Sequence, residues 1–261
     1  VGTAAEQEAY RQRLDVFLAS RDVGKALTRE ALLRGIRLEA VIDAAADVAA
    51  YADDGLAIVN NEYAPRLECR EGCSFCCCKP GVLATIPEFL RILDRVRTTF
   101  DDDARRALIA RAQRYASQLE GRHYDDLVDE SVPCPLLVDD RCSVYDARPL
   151  VCRGYNSTSV EACRKAHADR DALVPIFAVL KDVTDGATVG VAQSLEAVGV
   201  NDALVDLGTA LNLALAAGDE LARTVIEGGE GLRPAENSSW VKEMWTLVRH
   251  SARQVGVQVP E

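Results

Sequence analysis

Histidine is nearly absent from this sequence. Its three copies, His123, His167 and His250, lie far apart in 261 residues, so no histidine pair is placed for a mixed cysteine–histidine zinc site. No serine–histidine–aspartate order, phosphate-binding glycine loop or paired-carboxylate motif stands out. Aromatic residues make up only 5%, while alanine and leucine are common, which favours helix over sheet. No apolar run approaches the ~20 residues that span a membrane. Positive charge is short as well: 30 Lys and Arg stand against 41 Asp and Glu, for a net charge of -11. Such a surface repels nucleic acid and anionic lipid, so neither is expected as a partner.

What is present is mostly amphipathic helix. The stretch "TREALLRGIRLEAVIDAAADVAA" carries Leu32, Leu33, Ile36, Val41 and Ile42 at helical intervals. In "TIPEFLRILDRV", Thr85 and Glu88 form a candidate capping box, and Ile86, Phe89, Leu90, Leu93 and Val96 make one face. "DDDARRALIARAQRYASQLEG" opens on acids, continues as a stripe from Leu108 to Leu119 and stops at Gly121. Further stripes join Leu204, Leu207, Leu211 and Leu215, then Trp240, Met244 and Val248. Residues 124–160 have prolines, paired acids and no helical period, which predicts loop with a short hairpin. "IFAVLKDV" at 176–183 fits either a strand or a helix. The expectation is a mainly α protein, a single helical domain over 1–261 with a cysteine module at about 69–165. The N-terminal stretch is polar and helical in pattern, unlike a signal peptide, so a reducing, cytoplasmic setting is expected.

In that setting nine cysteines call for an explanation. They are Cys69, Cys73, Cys76, Cys77, Cys78, Cys134, Cys142, Cys152 and Cys163, with none in the first 68 or last 98 residues. Structural cysteines would be scattered singly through the helices. These gather in the least regular segments, in two groups. The first is C-x3-C-x2-C-C, from Cys69 to Cys77, and the second is spread over Cys134, Cys142, Cys152 and Cys163. An antiparallel helix pair over 85–120 would return the chain and bring the groups to one site or two adjacent sites. Thiolates suit zinc, copper(I) or iron–sulfur clusters. Basic residues lie among them: Arg70, Lys79, Arg141, Arg148, Arg153, Arg164 and Lys165. A cluster held by four thiolates is net anionic and gains from such neighbours. Arg148 and Arg153 are the candidate cofactor contacts, because arginine offers a fixed charge and several donors. The occupant expected is an iron–sulfur cluster, of the 4Fe–4S type, with zinc as the alternative. Three consecutive side chains do not readily aim at one centre, so Cys78 is expected to stand aside. His167, one turn after Cys163, is an alternate ligand or a solvent-facing residue.

C-x3-C-x2-C with Phe75 before the last cysteine resembles the radical S-adenosylmethionine motif, and Gly228, Gly229 and Glu230 resemble that superfamily's methionine-binding turn. That resemblance implies a β/α barrel, for which the chain lacks alternating strands and helices. A broader resemblance covers both cysteine groups. "CREGCSFCC", "PCPLL", "RCSVYDARPLVCRGYNS" and "EAC" together resemble the YkgJ-type cysteine-cluster family of zinc- or iron-chelating proteins. The match runs from about Cys69 to Cys163. Its pattern implies Cys69, Cys73, Cys76, Cys77, Cys134, Cys142, Cys152 and Cys163 as metal ligands, without Cys78. The module is also similar to that of bacterial flagellin lysine N-methylases, which use S-adenosylmethionine. Three functions therefore stand open. One is a cluster protein in electron transfer, sulfur or cluster delivery, or sensing, with a redox or substrate partner. The second is an enzyme using an open iron or S-adenosylmethionine, and the third is a structural zinc protein.

Overall fold

The computed structural model describes residues 3–62, 67–122, 124–127, 130–169, 171–218, 221, 224–225, 229–237, 239–257 and 259. Helix dominates. The first long helix, α1 (Ala4–Leu33), is opened by a Thr3–Glu6 capping box, and α2 (Leu38–Glu62) follows after a break. The break falls at Gly35, whose φ of +106° is left-handed territory that glycine enters freely. It corrects the continuous stripe expected there: Leu33 is 88% exposed and Ile36 44%, while Leu32 and Val41 are buried.

The pair α3 (Ile86–Thr99) and α4 (Asp102–Leu119) starts as the sequence implies, with the Thr85–Glu88 box and the Asp101 cap. The two helices scarcely pack on each other, contrary to a hairpin held by mutual contact. Instead α3 lies on α2, and α4 lies on α8 (Leu207–Ala217). The short helices α5 (Leu150–Gly154) and α6 (Val160–Ala168) carry the late cysteines. The ambiguous 176–183 segment resolves as the start of α7 (Ala178–Ala197), which packs along α1. The final helix is α9 (Trp240–Gln254). A small antiparallel sheet joins β1 (Leu83–Ala84), β4 (Leu204–Asp206) and β5 (Glu236–Asn237) in that order. Leu204 thus lies on a strand rather than on the helix expected from its spacing. β2 (Leu137–Val138) and β3 (Arg141–Cys142) form a separate hairpin. No described helix is long and apolar enough to cross a membrane, and the described residues form no β/α barrel.

The main core gathers Val41, Val48, Ile86, Phe89, Leu90, Leu108, Leu150, Val191 and Leu207, with Cys134 and Cys142 packed against it. The cysteine loops are therefore anchored on the core rather than hung from it. A buried carboxylate makes one of these anchors. Glu88 Oε2 accepts from the Thr85 amide and hydroxyl, both at 2.8 Å, while Oε1 accepts from the Leu150 amide at 2.5 Å. One side chain thus caps α3 and fixes the start of α5. Glu88→Ala leaves buried donors unpaired and is expected to cost about 2–4 kcal/mol; urea unfolding of the two proteins measures it.

Candidate metal centre

Four stretches of chain supply the thiols. The first runs Cys69–Cys78. A turn in which the Cys73 amide donates to the Arg70 carbonyl at 3.0 Å bends it, with Gly72 at φ +87°. A single 3-10 turn, Phe75–Cys78, then presents three consecutive cysteines in different directions. The second stretch is the β2–β3 hairpin with its approach. Asp139 and Asp140 both have positive φ, 48° and 60°, making the two-residue turn that antiparallel strands favour. Leu137 pairs with Cys142, and the Leu137 amide donates to the Cys134 carbonyl at 2.9 Å, so Cys134 and Cys142 are brought to the same end of the hairpin. Helix α5 brings Cys152 and α6 brings Cys163.

Cross-links hold these pieces together. The Cys134 amide donates to the Cys77 carbonyl at 2.8 Å, and Val132 to Cys78 at 2.9 Å. Ser74 Oγ donates to Asp140 Oδ1 at 2.7 Å, pinning the hairpin tip to the first loop. The Glu68 amide donates to the Ser157 carbonyl at 3.0 Å, and Glu68 Oε2 accepts from the Val160 amide at 2.6 Å. Ser159 caps α6 through the Ala162 amide, and α6 packs on the Phe75–Cys78 turn. The two cysteine groups, far apart in sequence, thereby meet.

They meet around a cavity of about 570 Å³. Cys69, Cys73, Cys76, Cys77, Cys134, Cys142, Cys152 and Cys163 all line it, and Cys78 does not. At about 30 Å³ per water, this volume far exceeds the room needed for one bare ion. Among the described residues, no three metal-binding side chains converge closely enough to hold a single ion. The sulfurs ring a void instead of meeting at a point. Of the basic residues, Arg70, Lys79, Arg148 and Arg153 line the cavity; Arg141, Arg164 and Lys165 are outside its lining. Arg148 stacks on the Tyr145 ring at 3.9 Å, and its buried Nε has no hydrogen-bond partner. Arg153 is committed to structure. Its side chain pairs with Asp53 and donates to the Arg148 carbonyl at 2.9 Å and the Asp146 carbonyl at 2.6 Å. His167 is outside the cavity lining and sits against Phe75, ring centroids 6.0 Å apart. His123 and Gly228 lie outside the described residues.

The sequence reading missed the backbone donors to sulfur. The Ser157 amide donates to Cys69 Sγ at 3.0 Å. The amides of Phe75, Leu136 and Val144, two residues downstream, act in the same sense on Cys73, Cys134 and Cys142, lowering the cost of the thiolate. N–H donors aimed at sulfur favour the thiolate, and in iron–sulfur proteins they help set the potential. Nothing in residue identity signals them, because every residue carries an amide.

Burial opposes ionisation of the empty site. It pushes the Cys69 thiol up to about 11 and the Cys134 thiol to about 12, and raises Cys73, Cys142 and Cys152 as well. Cys76 is raised first by its hydrogen bond with Cys77 and then by burial. Groups whose pKa is raised on folding contribute stability that is complete below the unfolded thiol value of about 9 and is lost as pH climbs through the folded values. The reduced, metal-free protein is thus expected to melt at progressively lower temperature from about pH 9 to 12, with a shallower decline in Cys134→Ala; calorimetry across that range checks it. Metal binding displaces the same protons, so affinity rises with pH.

No curated protein and no solved structure matches the chain significantly. Residues 68–169, about two fifths of the chain, match the sequence model of the CxxCxxCC family, described as a "Putative zinc- or iron-chelating domain". The matched stretch spans the cysteines around the cavity, and the matched family is the one its motifs resemble.

Proposed function

We propose that the cavity holds iron and sulfide as a thiolate-ligated iron–sulfur cluster of the 4Fe–4S type, and that the protein serves as a carrier of electrons or of cluster components. The observation that carries this reading is the set of eight thiols lining one void, with the Ser157 amide donating to Cys69 Sγ. A single tetrahedral zinc needs four sulfurs about 2.3 Å from one point. Here the donors are twice as many and do not converge, which favours a multi-atom occupant. Arg70 and Arg148 on the wall offset the negative charge that such a cluster brings.

A bound cluster supplies one-electron chemistry at a potential tuned by its surroundings. Eight thiols exceed the four that one such cluster requires, so no iron needs to be left open to a substrate. That favours a carrier over an open-iron or S-adenosylmethionine enzyme. Cys69 and Cys76 are exposed at the cavity, within reach of a redox or acceptor partner. The test is anaerobic isolation or reconstitution with iron and sulfide. Brown protein with broad visible absorption and iron and sulfide in similar amounts is expected. Colourless protein that carries stoichiometric zinc and refuses iron and sulfide would replace this reading with the zinc alternative.

A further inference from the structure

We infer that helix α6 is a lid over the cysteine cavity: it opens readily in the metal-free protein, which lets the occupant in, and it closes when its own Cys163 takes hold of that occupant. This inference rests on the cavity binding metal or cluster, as proposed above, and adds how the occupant enters and is kept.

The chain around α6 is an excursion with a firm neck. Asn156 brackets Phe177: its Oδ1 accepts from the Phe177 amide at 2.8 Å, and its Nδ2 donates to the Phe177 carbonyl at 3.1 Å. The Thr158 amide donates to the Pro175 carbonyl at 3.1 Å, which brings the outgoing and returning strands of chain together. Asn156 and Ser157 at this neck are buried. Beyond it the chain leaves the body, and none of the described residues from 159 to 174 is buried. Among the described residues, α6 is the one α-helix without a buried residue, whereas even the shorter α5 buries Leu150, Arg153 and Gly154. Its nine residues are too few to hold a helix together in water without packing. Segments with few buried contacts open locally at little cost.

Few bonds hold α6 down over the first cysteine loop. The Val160 amide donates to Glu68 Oε2 at 2.6 Å, and the Lys79 ammonium donates to the His167 carbonyl at 3.4 Å. The His167 ring lies 6.0 Å from that of Phe75. In this closed position His167 Nδ1 is buried with no hydrogen-bond partner, a cost that opposes closure. Cys163, meanwhile, lines the main cavity from α6. Val160 lines a second cavity of about 330 Å³, which shares Arg70, Gly72, Cys73, Phe75 and Asp140 with the first. Lifting α6 therefore removes one wall from each void and opens Cys73, which lines both. A bond from the Cys163 sulfur to the occupant supplies the fastening that packing does not. The other lining thiols hold the occupant to the body of the protein, and Cys163 then holds the lid to the occupant.

The experiment is hydrogen–deuterium exchange followed by mass spectrometry, on reduced, metal-free wild type and on wild type loaded anaerobically with iron and sulfide or with cobalt(II). In the metal-free protein the α6 amides are expected to exchange ~100-fold or more faster than those of α7. On loading they are expected to slow by ~10-fold or more, while α1 and α7 stay as they were. Cys163→Ser, checked for native helicity by circular dichroism and loaded through its remaining thiols, is expected to keep fast exchange in α6 and to yield its metal to a chelator ~10-fold faster than wild type. Protection of α6 equal to that of α7 in the metal-free protein overturns the lid, whatever the cavity holds. Uptake by wild type without slowing in α6 overturns the closure alone, and equal slowing in loaded Cys163→Ser overturns Cys163 as the fastening. Uptake of neither iron and sulfide nor cobalt(II) overturns the metal reading itself and the closure with it. If Cys163→Ser fails to fold or to load, the two wild-type states decide.

Discussion

Gly190→Ala is expected to destabilise the protein by ~3 kcal/mol or more. Helices α1 and α7 pack backbone to backbone along their length. A Cβ on Gly190 would fall 2.1 Å from the Arg21 carbonyl oxygen and 2.7 Å from the Lys25 amide nitrogen. Its neighbour one turn earlier, Gly186, is equally confined, with a Cβ placed 2.2 Å from the Phe17 carbonyl oxygen. From the other side, a Cβ on Gly24 would meet the Ala187 carbonyl at 2.7 Å. None of these obstacles is the end of a flexible side chain, so relief requires the helices to separate. Separation would open the contact of α7 with the buried Phe17 of α1 and shift α5, which leans on α7 and carries Cys152. Gly55→Ala in α2 is the control. Its Cβ would meet only Val183 Cγ1 at 3.6 Å, and removing a helical glycine there is expected to gain about 0.5–1 kcal/mol. Urea unfolding of both variants gives the comparison. Equal stability of Gly190→Ala and wild type would mean that α1 and α7 are farther apart than described.

The second large effect concerns metal content. Cys78→Ser is expected to retain the full load of the wild type, while Cys152→Ser loses at least half. The two residues differ in where the backbone aims them. Cys78 is directed toward Ser131 and is outside the cavity lining, whereas Cys76 and Cys77 of the same turn line it. Its carbonyl is used to receive the Val132 amide, a bond that serine at position 78 keeps. Cys152 lines the cavity from α5, beside Cys134 and Cys142. Metal and sulfide analysis of parallel anaerobic preparations measures both. Equal losses in the two variants would show that Cys78 is a ligand and that the lining described above is not the binding surface.

Much of the helical frame is legible without coordinates, because its signals are local. The Thr85–Glu88 box, the aspartates that open α4 and the stop at Gly121 each act within one or two turns. Periodicity misleads where a break is cheap. Leu33 and Ile36 keep the helical interval across Gly35, yet the chain turns there and both side chains face solvent. At Leu204 the same spacing crosses from strand to helix, since a short strand pairing with β1 outweighs one more helical turn.

By itself, then, the sequence determined that the protein is mainly helical, that its chemistry is thiol chemistry, and that Cys69–Cys163 is the span that carries it. Those properties follow from composition, periodicity and the order of residue types. The tertiary structure alone decided that eight thiols share a cavity and the ninth turns away, that Cys163 joins the first loop, and that Arg153 is taken up by Asp53 and two carbonyls while Arg148 keeps a free donor. These depend on contacts between segments up to about a hundred residues apart, where a side chain's direction is set by packing rather than by its neighbours in sequence. The amides that donate to sulfur belong to the same class. Every residue has one, and only the fold of the loop aims it.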